Sequence, residues 1–267
     1  MRSLKQLSDL TGRVALVTGG AGHIGFAAAQ ALAELGAMVA VSDLSPEACV
    51  ARAGELRGTG YAAAFAAPCD LADEAATRKM VQDVMATQGR LDILVHSAAF
   101  VGTTRLKGWA APFEQQTVEA WDLGLRVNLT SAFVLAQEAR AALEQSGKGS
   151  IVFVGSISGM VGPDMTLYEG TSMSKAAAYA ASKGGLLQLT RHLSTLLAPA
   201  VRVNMFSPGG IERGQPEVFQ QRYVDRTPLK RMGTEEDMKG AIAYLASDLS
   251  AYVTGQNIAV DGGWSVW

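Results

Sequence analysis

The stretch TGGAGHIG, Thr18 to Gly25, decides how this chain begins to fold. It follows the apolar run VALV (14–17) and precedes FAAAQALAEL (26–35). That order reads as a strand, a glycine turn and a helix. The glycines at 20, 22 and 25 fit G-x-G-x-x-G. Such glycines let the backbone approach a pyrophosphate, and the helix starting near Ile24 aims free N–H groups at it. Gly19, Gly22, His23, Ile24 and Gly25 are therefore candidate cofactor-binding residues. An ordinary tight turn between strand and helix uses the same residue types, so the rest of the chain must decide.

Working outward, strand-like runs recur: 14–18, 38–42, 61–66, 91–96, 150–155, 201–206 and 257–260. Helical spacing fills 24–35, 46–57, 73–87, 117–144, 176–197 and 235–246. Most of the strands are apolar on both faces, as a buried parallel sheet demands. The alternation predicts one α/β domain over 1–267, a doubly wound parallel sheet of about seven strands with helices on both faces. Two connections are long, 97–116 and 156–175, and both leave the carboxyl ends of strands, where open α/β sheets bind ligands.

Composition narrows the function. With 48% apolar and 18% charged residues and a net charge of −2, the chain is globular and carries no electrostatic footprint for nucleic acid or an anionic membrane. No apolar run reaches membrane-spanning length, and MRSLKQLSDL lacks the core of a signal peptide. Cys49 and Cys69 are not in C-x-x-C spacing, and with three histidines no metal site is expected. These features predict a reducing, cytoplasmic setting.

Two further residues sharpen the dinucleotide reading. The second strand ends in VSDLS, with Asp43 at its tip, 18 residues after Gly25. A carboxylate there accepts hydrogen bonds from both adenosine ribose hydroxyls and repels a 2′-phosphate. No Arg or Lys occurs between Arg13 and Arg52, so nothing in the turn or at this tip is expected to neutralise that phosphate. NAD is favoured over NADP. Of six tyrosines, only Tyr179 has a lysine four residues on, in YAASK (179–183), at the head of a long helical segment where both side chains share a face.

The ordered set TGGAGHIG, Asp43, CDL (69–71), LVHSAA (94–99), RVNLTSAF (126–133), IVFVGSISG (151–159), YAASK, VRVNMFSPGGI (201–211) and YVTGQNIAVDGGW (252–264) resembles the short-chain dehydrogenase/reductase family over nearly the whole chain. The resemblance implies a catalytic tetrad of Asn128, Ser156, Tyr179 and Lys183. Tyr179 would be the acid/base, its pKa drawn down from about 10 by the Lys183 ammonium and a positive nicotinamide ring. Lys183 would also hold the nicotinamide ribose, Ser156 the substrate oxygen, and Asn128 a water leading to solvent. The resemblance carries the cofactor from the first turn past Asp43, Leu44, Asp70 and Leu71. From there it would pass Ser97, Ala98 and Ala99 and reach Tyr179, Lys183, Pro208, Gly209 and Ile211. It implies hydride transfer between nicotinamide and a secondary alcohol or ketone, and a homotetramer, or a dimer, built on the two long helices, the last strand and the tail.

The departures are informative. The single-domain branch usually reads TGxxxGxG at the first turn, placing glycine where His23 stands; TGxxGxxG belongs to the longer nucleotide-sugar epimerases and dehydratases. Too little chain follows Ser207 for their C-terminal domain, and VTGQNIAVDGG reads as the last strand of the same sheet. The family's NNAG reads HSAA, with His96 a structural strand-end residue. Ser156 and Tyr179 stand 23 positions apart, leaving an extra segment, GPDMTLYEGTSMSK (162–175), expected to cap the site. That segment resembles a subgroup tied to bacterial surface-glycan and flagellin modification, which suggests a polyol, a sugar or another small polar substrate. Substrate walls are expected at 100–116, 157–175 and 209–232. A non-catalytic NAD-binding regulator is a third reading, opposed by the intact tetrad.

Overall fold

Runs of Val, Ala, Leu and Ile that are apolar on both sides have no stable place except between two helical layers. The computed structural model, which describes residues 1–60, 63–102 and 104–267, places them there. The strands are β1 (Val14–Thr18), β2 (Met38–Ser42), β3 (Ala64–Ala66), β4 (Ile93–His96), β5 (Gly149–Val154), β6 (Val201–Pro208) and β7 (Asn257–Val260). The α-helices are α1 (Leu4–Ser8), α2 (His23–Glu34), α3 (Pro46–Gly58), α4 (Glu74–Gln88), α5 (Val118–Leu125), α6 (Ser131–Gln145), α7 (Ala177–Leu197), α8 (Glu217–Arg226) and α9 (Glu235–Ala246). All strand pairings are parallel, in the order β3-β2-β1-β4-β5-β6-β7.

One face of the sheet packs on α2 and α9, burying Val17, Val39, Ile93, Val152, Leu32 and Ile242 among others. The opposite face packs on α4, α6 and α7 through Leu16, Leu94, Phe153, Met205, Leu135 and Leu186. The chain reverses its direction of strand addition between β1 and β4, where Thr18 pairs with His96. A crevice opens at that switch point, which is where this architecture binds ligands.

Three differences from the expected elements have local causes. The third strand covers only 64–66; Tyr61 and Ala62 of the expected 61–66 run lie outside the described residues. The expected helix 117–144 is interrupted at Arg126–Thr130 by a π-turn, which puts one extra residue into the coil at Asn128. Loop 209–232 contains α8, whose buried positions Phe219 and Tyr223 are spaced i, i+4 among polar residues. Among the described residues, no helix is long and apolar enough to cross a membrane.

Candidate active site

The first turn is shaped by steric necessity. Gly19 has φ +65°, and a Cβ there would stand 2.6 Å from the Ala98 nitrogen. A Cβ on Gly25 would collide with the Gly19 carbonyl oxygen. The turn is closed by Gly22 N–H donating to the Gly19 carbonyl at 3.0 Å, and tied to β2 by Gly20 N–H donating to the Ser42 carbonyl at 2.8 Å. Gly22 then caps α2 with no side-chain hydrogen bond, so the first N–H groups of the helix are left for a ligand. Such a cradle fits a pyrophosphate.

Asp43 stands at the tip of β2, as expected. One carboxylate oxygen accepts from Ala21 N–H at 3.2 Å and the other from Leu44 N–H at 2.8 Å. The expectation that no cation approaches this tip needs correction. Arg52 of α3 turns back to the first turn, its Nε donating to the Ala21 carbonyl at 3.4 Å and its guanidinium stacking 4.2 Å over the Phe26 ring. Distance along the chain concealed it, because the first turn of α2 and the second turn of α3 meet only when both pack beside β2. Arg52 also pairs with Glu55 at 2.7 Å, which occupies part of its charge.

Leu44 is exposed beside Asp43. Asp70 caps the turn after β3, accepting from Ala72 N–H at 2.9 Å, and Leu71 is buried behind it. Ser97, Ala98 and Ala99 leave β4 directly across from the glycine turn, with Ser97 N–H donating to the Thr18 carbonyl at 3.1 Å. Pro208 ends β6; Gly209 N–H donates to the Val260 carbonyl at 3.0 Å; Ile211 bridges to Gly233. His23 opens α2 with its ring largely exposed and its Nδ1 3.4 Å from Glu235 Oε1, an oxygen that also accepts from Arg213 Nε at 3.1 Å.

The four tetrad positions converge beyond the ends of β4 and β5. Asn128 is fully buried in the π-turn. Its Oδ1 accepts from Phe100 N–H at 2.7 Å and its Nδ2 donates to Ser182 Oγ at 3.1 Å, joining loop 97–116 to α7. Ser156 follows β5, its Oγ accepting from Ser158 N–H at 3.1 Å. Lys183 is buried, with Nζ donating to the Val154 carbonyl at 2.7 Å and 5.8 Å from the centre of the Tyr179 ring. Burial pulls the Lys183 ammonium down to about 8.

Tyr179 departs from the expected direction. Burial raises its phenol above the ordinary value, while the nearby Ser156 hydroxyl and the charge of Arg213 act the other way. The protein's own groups leave the phenol protonated at neutral pH. Arg213, which lies in the expected substrate wall 209–232, is the cation whose charge draws the phenol downward.

His96 is structural, as its strand-end position implies. It is fully buried, with Nδ1 2.8 Å from Thr18 Oγ1 and Nε2 3.5 Å from Ser131 Oγ. Burial, and secondarily Lys183, push its pKa down to about 3, so the ring is neutral. Both cysteines are buried and unbridged, and burial raises both thiols.

The extra segment packs as a wall. Tyr168 lies 5.4 Å from Phe219, which stacks in turn on Tyr223, and Tyr223 on Trp264. Arg222 donates to the carbonyls of Thr166 and Glu169 at 2.9 and 2.6 Å, and Arg226 pairs with Asp164 at 2.7 Å. Trp267 folds back on its own chain, its indole N–H donating to the Arg226 carbonyl at 3.0 Å. The aromatic spacing in α8 was a readable signal of an apolar stripe; its partner was not. A cavity of about 470 Å³ lies beside Gly209, Pro228, Met232 and Gly263 and includes none of the tetrad residues. The tetrad positions, unlike that cavity, bring buried titratable groups to the ends of the strands.

A family model described as enoyl-(acyl carrier protein) reductase, a short-chain dehydrogenase model, matches residues 19–265. The chain belongs to the short-chain dehydrogenase/reductase family. It is 35% identical to a tropinone reductase homolog of Arabidopsis thaliana, covering 97% of this chain and 94% of that one. It is 32% identical to a sorbose reductase of Schizosaccharomyces pombe, covering 98% and 99%. A gluconate 5-dehydrogenase from Burkholderia cenocepacia, solved with NADP and tartrate, superposes with a TM-score of 0.86 at 29% identity, covering 99% of this chain and all of that one. This dehydrogenase/reductase is therefore an oxidoreductase of a family that uses a nicotinamide dinucleotide, and the glycine turn and Asp43 fit that group.

Proposed function

We propose that the whole chain, 1–267, is one dinucleotide-binding domain that interconverts a secondary alcohol and a ketone on a small polar substrate of polyol or sugar type, with NAD favoured over NADP. The observation that carries the reading is the Tyr179 ring 5.8 Å from the Nζ of buried Lys183, which is itself bonded to the Val154 carbonyl at the end of β5, with Ser156 following that strand. The chemistry supplied by a bound nicotinamide is hydride exchange at the substrate carbon. Tyr179 takes the carbinol proton in oxidation and returns it to the carbonyl oxygen in reduction. Ser156 holds that oxygen and stabilises its developing charge. Lys183 supplies a buried positive charge that favours the phenolate and holds the nicotinamide ribose. Asn128, whose side-chain amide bonds to Phe100 and Ser182, positions loop 97–116 against α7 and keeps the role of anchoring a water that leads from Lys183 to solvent.

The NAD preference rests on Asp43, whose carboxylate is held at the β2 tip by two backbone N–H groups. Arg52 is the residue through which NADP would compete. The gluconate 5-dehydrogenase solved with NADP gives that competition weight. The sorbose reductase supports a polyhydroxy substrate. An epimerase reading is disfavoured because the segment after Ser207 completes the sheet as β7. Exposed Val118, Trp121, Phe133 and Leu196 on α5, α6 and α7 suit contact with further copies of the chain in a tetramer or dimer. The two buried, unbridged cysteines suit a reducing compartment such as the cytoplasm.

The test is a screen of alcohols and ketones followed by NADH or NADPH absorbance, with both cofactors in parallel. Tyr179→Phe is expected to lower kcat by about 10²–10⁴-fold with cofactor binding kept. Unchanged turnover in that variant overturns the assignment of the base. A clear NADP preference overturns the role given to Asp43.

A further inference from the structure

Lys175 ends the extra segment two residues before α7. Its backbone is held on both sides. Ser174 Oγ donates to the Ala111 carbonyl at 2.8 Å, Gln116 Nε2 donates to the Lys175 carbonyl at 3.0 Å, and Gln116 Oε1 accepts from Ala177 N–H at 2.9 Å. The side chain lies along Tyr168, with Nζ 6.0 Å from the ring centre. Tyr168 in turn packs in the cluster that contains Ile157, the residue after Ser156, and Lys175 precedes Tyr179 by four residues at the head of α7. Lys175 therefore stands on the wall that faces the proposed acid/base.

Every comparable cation has acceptors. Arg13 pairs with Asp248 at 2.5 Å, Arg202 donates to the carbonyls of Leu245 and Ser247, and Lys183 donates to the Val154 carbonyl. Lys175 is the exception among the described residues. Burial lowers its ammonium below the ordinary lysine value, and no carboxylate acts to offset that. Asp164 is occupied by Arg226 and Glu235 by Arg213 and His23, and among the described residues no carboxylate, including Glu114, Glu169 and Glu212 of the neighbouring loops, forms an ion pair with Lys175. No carboxylate acts on Tyr179 either, whereas Arg213 does. A partly buried ammonium with no acceptor costs free energy unless a ligand brings the missing charge. A neutral polyol brings only hydroxyl oxygens; a carboxylate brings the charge and a strong acceptor together.

We propose that the substrate is a hydroxy acid, or the corresponding keto acid, whose carboxylate pairs with the Lys175 ammonium while its carbinol or carbonyl carbon faces Tyr179. This rests on the oxidoreductase reading above and narrows its substrate class. The carboxylate takes no part in the bond changes. In oxidation the C–H bond is lost as hydride to the nicotinamide, the O–H proton goes to Tyr179, and the alcohol becomes a ketone.

Matched pairs decide it: gluconate against glucitol, tartrate against threitol and lactate against propane-1,2-diol, each with NAD and NADP. The acid of at least one pair is expected to exceed its alcohol in kcat/KM by tenfold or more. Lys175→Met is expected to lower that acid-to-alcohol ratio about 10- to 100-fold, mainly through KM, and Lys175→Arg to restore most of it. Calorimetric titration of the same acids into the cofactor-loaded protein is expected to show binding that Lys175→Met loses. That titration decides the matter even if no pair is turned over, since acid binding that does not depend on Lys175, or no binding, overturns the proposal. Equal losses on acid and alcohol make Lys175 structural and overturn it. Turnover of alcohols alone overturns it while leaving the oxidoreductase reading intact. Competition by inorganic phosphate with none by the acids replaces the carboxylate with a phosphate ester. Full turnover in Tyr179→Phe brings down the reading of the catalytic site instead.

Discussion

On the β1–β2 side of the crevice the polypeptide backbone makes the wall; on the α8 side, side chains from distant segments make it. The first turn is shaped by Gly19, Gly22 and Gly25 and closed by bonds between residues at most 22 positions apart. The wall to which we assign the substrate is held by Arg222 and Arg226 reaching segment 162–175 across 53 to 62 positions, and by the stack from Tyr168 to Trp264. A backbone wall tolerates almost no added atoms but depends little on its neighbours' side chains. A side-chain wall can be re-specified by substitution, at the risk of loosening everything that leans on it.

Gly25→Ala should break the first wall most severely. Its Cβ has no space beside the Gly19 carbonyl oxygen, so thermal unfolding is expected to show a loss of about 3 kcal/mol or more. Cofactor affinity should fall at least about 100-fold, because a shift of the turn also moves the N–H groups to which we assign the phosphate. Normal NAD binding in this variant would mean that the turn is not the cradle.

Arg226→Ala should break the second wall and spare the first. It removes the Asp164 ion pair and the cation stacked 4.3 Å over Trp264. KM for the substrate is expected to rise about tenfold with the Kd for NAD unchanged, measured by steady-state kinetics and fluorescence titration. Equal losses in both constants would erase the division between the walls.

Arg213→Gln sharpens the electrostatic side of the comparison. Tyr179 is held above the ordinary phenol value, so it is protonated at neutral pH and oxidation, which needs the phenolate, should speed up as pH rises. Reduction, which needs the proton, should slow over the same range. Lys183, at about 8, loses its charge in that window and limits the gain in oxidation. Removing Arg213 takes away a lowering influence, so the rising limb for oxidation should move to higher pH, a few-fold slower at fixed pH. An unmoved limb would detach loop 209–232 from the phenol.

His23→Gly should have the smallest effect. It loses one largely exposed contact with Glu235 and gains the glycine common at this position in the family. The Kd for NAD is expected to change less than about tenfold, with kcat at saturating NAD intact. Collapse of turnover would give His23 a part in the chemistry.

The elements that could be read from residue order were the ones with local causes. The run VALV with its glycines, the apolar spacing of 235–246 and YAASK at the head of a helix each follow from backbone conformation and side-chain period. The π-turn at Asn128 was not readable, because the extra residue is accepted only where Phe100 and Ser182 receive the Asn128 amide. Helix α8 showed only a two-residue apolar stripe in a polar stretch, and the partners of that stripe, Tyr168 and Trp264, lie 51 and 41 positions away.

By itself, then, the sequence determined the alternation of strands and helices, the glycine turn and the acidic tip at Asp43, all of which depend on spacing within about 20 positions; the four tetrad residues came from the family resemblance of motifs spread over 55 positions. Only the tertiary structure decided that Arg52 returns to the first turn, that Arg222 and Arg226 clamp the extra segment and that Lys175, over the Tyr168 ring, has no ion-pair partner among the described residues. Those outcomes depend on which side chains meet when two helical layers close on one sheet, and residue order does not encode that distance.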